Sequence, residues 1–326
     1  MEMAPVVIDF LRGVPEAYRR IAADIRRTPL ERSGPLSRDF GADIHVKWEC
    51  DQITGSFKLR GALNKLRSLS PGERARGVVS ASTGNHGLAI SHAAKLEGVG
   101  LKLFLPETVA AVKRERIEAL GVDVEVRGTS CDRAEALARE SAAGAGRVFV
   151  SPYNDPDIVL GAATTGLELA ADLARFDDVL VPLGGGGLVA GIAGYLKAVR
   201  PGVRVFGVEP DTSAFMAASV AAGRLIDIEE RPTVADAVAG GIEPGSLTFP
   251  LCRDLLDGIA VVPEALVPRA MALVHERHGR TVEGAGALPF AALLHEPSRW
   301  AGRTVVAVAS GGNIAAARFR EVTGRG

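Results

Sequence analysis

Short apolar, β-branched runs recur along the chain at 44–46, 77–80, 101–105, 123–126, 147–150, 179–182, 203–208 and 304–309, and each reads as a buried strand. Between them lie alanine-rich segments dotted with charges at helical spacing, at 85–97, 111–120, 133–142, 161–174 and 188–199. This alternation predicts βαβ units around mostly parallel sheets, an α/β fold. Glycine or proline marks most joints, as at 69–72, Pro106, Gly121, 201–202 and Pro263. No repeat of roughly 20 to 50 residues is visible, which argues against a solenoid.

Composition narrows the function classes. The 326 residues, 47% hydrophobic and 24% charged, suffice for one large domain or two lobes. With 38 basic and 39 acidic residues the net charge is −1, so no overall field attracts nucleic acid or an anionic membrane, and a small-molecule role is expected. Cys50, Cys131 and Cys252 form no CxxC pair, which argues against a disulfide framework or a structural zinc site. A reducing cytoplasm fits. Residues 1–13 lack the basic start and long apolar stretch of an export signal, and no run reaches the roughly 18 apolar residues of a membrane span.

Four segments pair a strand or helix end with glycine and a hydrogen-bonding or reactive side chain. In Thr54-Gly55-Ser56-Phe57-Lys58-Leu59-Arg60-Gly61 a lysine enters a helix after a glycine-bearing loop. On position alone Lys58 is one surface lysine among many, but its small and aromatic neighbours suit a partly desolvated amine, a nucleophile toward carbonyls. In Ser80-Ala81-Ser82-Thr83-Gly84-Asn85-His86-Gly87 a strand turns into a helix whose N-terminus suits a carboxylate. An ordinary cap made by Ser82 or Thr83 is the plainer reading. The strand 179–182 runs through Leu183 into Gly184-Gly185-Gly186-Gly187-Leu188, whose backbone can turn N–H groups around a phosphate. A bulky side chain at Gly186 is expected to intrude there. The fourth, Ser310-Gly311-Gly312-Asn313, brings a hydroxyl to the sheet's C-terminal edge, where all four segments can meet.

Alternatives attach to the same residues. No Gly-Lys-Ser/Thr follows the glycines, which excludes an ATP or GTP P-loop. Gly185, Gly187 and Ala190 have G-x-G-x-x-A spacing, and Glu209 stands where a ribose-binding acid belongs, so an NAD-dependent Rossmann oxidoreductase is the runner-up from another class. His275 and His278 lack the HExxH pattern and are expected on a solvated helix face rather than at zinc. Glu283-Gly284-Ala285-Gly286-Ala287 reads as a closely packed helix start.

Ser56-Phe57-Lys58-Leu59-Arg60-Gly61 and Ser82-Thr83-Gly84-Asn85-His86 together make the chain similar to the β-family of pyridoxal 5'-phosphate (PLP) enzymes, fold type II or tryptophan synthase β-like. Within it the chain resembles the threonine/serine dehydratase and serine racemase group, from Arg27-Thr28-Pro29-Leu30 through Ser310-Gly311-Gly312-Asn313. The resemblance implies two lobes, each a mostly parallel sheet flanked by helices. Residues 1–72 and 152–326 would form the large cofactor-binding domain and 73–151 the small one, and a homodimer is expected. It implies that Lys58 forms the Schiff base, Phe57 lies against the cofactor ring, and Asn85 bonds its phenolic oxygen. Gly184, Gly185, Gly186, Gly187 and Leu188 would hold the phosphate, and Ser310 would face the pyridine nitrogen. Ser82, Thr83, Gly84, Asn85 and His86 would bind the substrate, Thr83 would be a second acid/base, and Glu283 would stand just behind the cofactor.

A neutral hydroxyl opposite the pyridine nitrogen makes the ring a weaker electron sink than a carboxylate would, which suits β-elimination. The expected reaction is loss of water from a β-hydroxy amino acid such as threonine or serine, giving a 2-oxo acid and ammonia. Racemisation, or dehydration of a larger substrate such as hydroxyaspartate, phenylserine or a hydroxyectoine-derived acid, is the alternative within the family. Two departures from the family pattern matter. Gly161-Ala162-Ala163-Thr164 replaces Gly-Gln-Gly-Thr and is expected to alter the pocket or its rim. Glu209 matches a cation-binding glutamate of relatives, but Phe215 stands in place of their aspartate, so no metal site is expected.

Overall fold

The computed structural model describes residues 8–109 and 111–324; residues 1–7, part of the stretch read above for export signals, lie outside it. Among the described residues ten strands form two sheets: β1 (Leu30–Arg32), β2 (Asp43–Lys47), β3 (Val78–Ala81), β4 (Leu101–Leu105), β5 (Asp123–Val126), β6 (Val148–Phe149), β7 (Asp178–Pro182), β8 (Arg204–Pro210), β9 (Gly258–Val262) and β10 (Thr304–Val308). The larger sheet runs β1-β2-β10-β7-β8-β9 and the smaller β5-β4-β3-β6. Of these strands only the short β1 is antiparallel to its neighbour. The fold is thus the expected α/β arrangement of two mostly parallel sheets with helices against them. Among the described residues no helix is long and apolar enough to cross a membrane.

The central strands are as buried as their apolar runs require. All five residues of β7 and all but Arg204 of β8 are buried, the pattern of a parallel sheet covered on both faces. Two expectations fail at the smaller sheet's edges. In β5 Asp123 is exposed and the rest half-buried, and both residues of β6 are half-buried. An edge strand has one neighbour and less cover, which its composition does not reveal. His275 and His278 are not on a solvated face either: His278 Nε2 lies 2.9 Å from Ser33 Oγ with its ring edge-on to Trp48, and His275 packs on Phe319.

The helix Lys58–Ser68 crosses the helix Pro156–Asp172 closely enough that a Cβ on Gly161 would lie 2.6 Å from Gly61 Cα and 2.5 Å from the Arg60 carbonyl. Ala162 is buried in the cluster that holds Val189, Ile192 and Ala193, Ala163 in the one that holds Phe10 and Val14, and neither lines the cavity described below, which overturns the expectation that they shape a pocket rim. Beside the crossing lies a set of charges with no solvent exposure. Arg60 bridges Glu49 (2.8 and 2.9 Å) and Glu168 (2.8 and 2.9 Å), while Lys47 bonds Glu168 at 2.5 Å and the Thr28 carbonyl at 2.7 Å. Burial opposes ionisation of Glu49, but the charge and hydrogen bonds of Arg60 outweigh it and hold that carboxyl below its usual range. Two cations balance two carboxylates, so the set is neutral only when complete.

Removing one member should therefore cost more than an ordinary ion pair is worth. Arg60→Met is expected to lower unfolding free energy by about 3 to 5 kcal/mol in urea titrations, because the two buried carboxylates of Glu49 and Glu168 are then left with the single charge of Lys47. A loss below about 1 kcal/mol, the range of exposed pairs, would contradict this reading.

Candidate active site

The C-terminal ends of strands from both sheets open on one cavity of about 650 Å³. After β10 the backbone carries Ser310 into it, and this stretch is laced to the loop before Lys58. Phe57 N donates to Ser310 O at 3.1 Å, Gly312 N to Gly55 O at 2.9 Å, and Ser56 bridges Gly311. Lys58 opens its helix, and its amine donates to the Pro152 carbonyl at 2.8 Å, 5.0 Å from the centre of the Phe57 ring. Burial lowers the Lys58 pKa to about 8, with the Glu283 carboxylate pulling the other way.

The helices Asn85–Glu97 and Gly187–Val199 both begin at the cavity, each behind a glycine N-cap that makes no side-chain hydrogen bond. Neither Ser82 nor Thr83 is the cap, contrary to the plainer sequence reading. Ser82 Oγ instead accepts from Gly84 N at 3.2 Å, and Gly84 is the cap. First-turn N–H groups without a capping side chain are the donors an anion uses. Gly186 holds φ at +87°, and a Cβ there would lie 2.9 Å from Cys252 Sγ and 3.0 Å from Thr248 Cβ. A side chain at Gly186 would thus strike these packed residues, which corrects the expectation that it would enter an anion site.

Asn85 is held by both ends of its amide: Nδ2 donates to Glu283 Oε1 at 2.6 Å, and Oδ1 accepts from Asn313 Nδ2 at 2.7 Å. His86 places Nε2 3.1 Å from Ser80 Oγ, while Nδ1 is buried without a partner among the described residues. Burial, reinforced by the charge on Lys58, pushes its pKa down to about 3, so the imidazole is neutral at working pH. The structure brings together the residues that the family resemblance singles out: Phe57, Lys58, Ser82, Thr83, Gly84, Asn85, His86, Gly184, Gly185, Gly186, Gly187, Leu188, Glu283 and Ser310 line this one cavity.

Sequence reasoning missed other lining residues. Tyr153, after the edge strand β6, lies against Gly185 and Gly187 and accepts a hydrogen bond from Glu243 N at 2.9 Å. Asn313 had a signal in the Ser-Gly-Gly-Asn stretch, while Arg116 and Arg139 had none. Glu209 is not among them. Its carboxylate accepts from the N–H groups of Met216 (3.0 Å) and Ala217 (2.8 Å), at the start of the helix Phe215–Ala222, and burial pushes its pKa up to about 7. A carboxylate occupied in this way is not a ribose ligand, and the dinucleotide reading loses its second element.

Comparison with known proteins agrees with this geometry. The chain is 37% identical to the catabolic L-threonine dehydratase of Escherichia coli over 98% of its own length and 97% of that protein. Threonine deaminase isoform 2 from Solanum lycopersicum superposes with a TM-score of 0.91 at 29% identity, covering 100% of this chain and 98% of the other. Maize serine racemase gives 0.88 at 32%, covering 95% and 96%. The model of the pyridoxal-phosphate dependent enzymes matches residues 21–311, which include the lysine, both uncapped helices and the strand leading to Ser310. With a lysine amine and two helix N-termini converging as that cofactor requires, the chain belongs to the pyridoxal-phosphate dependent enzyme family.

Proposed function

We propose that this protein eliminates water from a β-hydroxy amino acid of the threonine or serine type, giving a 2-oxo acid and ammonia, with PLP carried on Lys58. The observation that carries the reading is a desolvated lysine amine sharing one cavity with two uncapped helix starts. Its relatives include proteins described as L-threonine ammonia-lyase and threonine dehydratase, which supports the substrate type.

The residues present fit the cofactor. An aldehyde needs an amine that is neutral part of the time, and Lys58 is one. A phosphate needs N–H donors free of competing side chains, and the backbone from Gly184 to Leu188 offers them. Phe57 would lie against the ring, Asn85 would bond the phenolic oxygen, and Ser310 would face the pyridine nitrogen. Bound there, PLP would supply an electron sink that acidifies the substrate's α-C–H bond.

The protein's own groups would do the rest. N–H groups at the start of the helix Asn85–Glu97, with the Ser82 and Thr83 hydroxyls, would hold the substrate carboxylate. Lys58 Nζ, once released, would take the α-proton, a task suited to an amine whose pKa is near the working pH. Thr83 Oγ1 would be the second acid/base beside Lys58. Glu283 and Asn313 fix the Asn85 amide from either side, so its donor and acceptor ends are set before any ligand arrives. The neutral His86 adds no second positive charge beside Lys58.

Lys58→Ala should lose the violet absorbance of the lysine-bound cofactor and lower ammonia release from threonine by about 10²- to 10⁴-fold or more, with unchanged far-ultraviolet circular dichroism. Near-normal turnover by the variant would contradict the assignment. A second outcome follows from the amine's environment. The rate of PLP capture by cofactor-free protein should climb with pH through an inflection near 8, because burial makes the neutral amine available earlier than in a solvated lysine. Glu283→Gln removes the opposing carboxylate and should move that inflection lower. A rate still climbing toward 10.5, the ordinary lysine value, would contradict it.

A further inference from the structure

We propose that residues 239–247 form a strap that controls release of the cofactor, and that Glu243 is its lock, a positioning residue clasped between Arg139 and Asn154. The inference rests on the reading of the backbone from Gly184 to Leu188 as the phosphate site.

The strap runs from the turn Asp236–Val238 to the helix Thr248–Leu255 without regular structure, and residues 239–244 line the cavity. Both of its ends adjoin the glycine loop. A Cβ on Gly184 would lie 2.8 Å from Val238 Cα, and Thr248 Oγ1 donates to the Gly185 carbonyl at 2.6 Å. Tyr153 closes the side between them, its ring 2.5 Å from where a Cβ on Gly185 would stand. Movement of the strap therefore changes what covers the glycine loop.

Side chains from other segments hold the strap. Gly240 N donates to Ser213 Oγ at 3.3 Å, Glu243 N to Tyr153 Oη at 2.9 Å, and Leu247 N to Asn154 Oδ1 at 2.8 Å. The Glu243 carboxylate adds two more links: Oε1 accepts from Asn154 Nδ2, and Oε2 from Arg139 Nη2 at 2.5 Å. Arg139 lies on the helix Cys131–Gly144, which packs on the smaller sheet through Leu137 and Ala138. It is itself held by Glu135 at 2.8 Å and by the Phe149 ring, whose centre lies 4.1 Å from the guanidinium. Glu243 thus ties the strap to a helix of the smaller sheet.

The clasp is built to reopen. Unlike the four sealed charges behind Lys58, the side chains of Arg139 and Glu243 keep 41% and 22% of their surface in water, so parting them strands no buried charge. On either side of Glu243, Gly240 and Gly245 hold φ at +105° and +73°, where glycine leaves the strap free to swing.

The test follows PLP release from the holoenzyme as loss of violet absorbance, with an excess of a cofactor-free acceptor enzyme as trap. Release includes addition of water across the carbon–nitrogen double bond to Lys58, which returns aldehyde and amine in parent and variants alike. Glu243→Ala should speed release about tenfold, and Glu243→Gln, which keeps an acceptor for Asn154, should speed it less. The double variant Glu243→Ala/Arg139→Met should release no faster than Glu243→Ala, because the two side chains share one interaction. In the cofactor-free protein, Glu243→Ala should quicken hydrogen exchange in peptides covering 239–247 and not in those covering 58–68. Unchanged release in Glu243→Ala, additive effects in the double variant, or exchange quickened equally in 58–68 would each overturn the inference. The phosphate reading is judged separately: it fails if PLP slows exchange nowhere in 184–188, while the release rates still decide the strap.

Discussion

The buried set of Lys47, Glu49, Arg60 and Glu168 is the constraint on which the placement of the Lys58 amine depends. Four ionised groups stripped of water are tolerable only as a complete, hydrogen-bonded set, and every pairing here is direct. The set ties the end of β2, the first turn of the helix that begins at Lys58, and the helix Pro156–Asp172 into one block. Arg60 follows Lys58 by two residues, so fixing its guanidinium fixes the direction in which the helix starts. The close crossing at Gly61 and Gly161 removes the remaining freedom. The lysine is located by the core, and its amine reaches the Pro152 carbonyl just ahead of the same helix.

From that block outward, the site is a meeting of two sheets at their C-terminal edges. The larger sheet supplies Lys58, the glycine loop and Ser310; the smaller supplies residues 82–86 and, from its flanking helices, Arg116 and Arg139. Electrostatics is divided in the same way. Burial lowers the Lys58 pKa, Glu283 limits the fall, and Glu283 also anchors Asn85 across the sheets. A single carboxylate thus couples the pKa of the amine to the orientation of the amide.

The parts legible in sequence were those with local causes. The runs 101–105 and 123–126 and the helix 85–97 lie where their patterns place them, because apolar alternation and flanking glycines act over a few residues. Leu30–Arg32 and Gly258–Val262 were not read as strands: the first has only three residues, two of them charged, and pairs by virtue of the open edge of β2. Tyr153, Asn313 and Arg116 reach the cavity through packing between distant segments, which no local pattern records. The same limit explains the misreadings of Ser82 as a cap and Glu209 as a ribose ligand, since residue type and spacing were right but the bonding partners lay elsewhere. It also explains Ala162 and Ala163, where a motif difference was assigned to the pocket although the motif lies at a helix crossing.

The central claim is that Lys58, held by the buried charges behind it, is the residue that carries the cofactor. Reducing the PLP-loaded protein with borohydride, digesting it and mapping the modified peptide by mass spectrometry tests this directly. The reduced cofactor's mass on the peptide containing Lys58, and on no other lysine, is the result the account predicts. A modified peptide containing a different lysine, or a loaded protein that yields no covalent product, would contradict it.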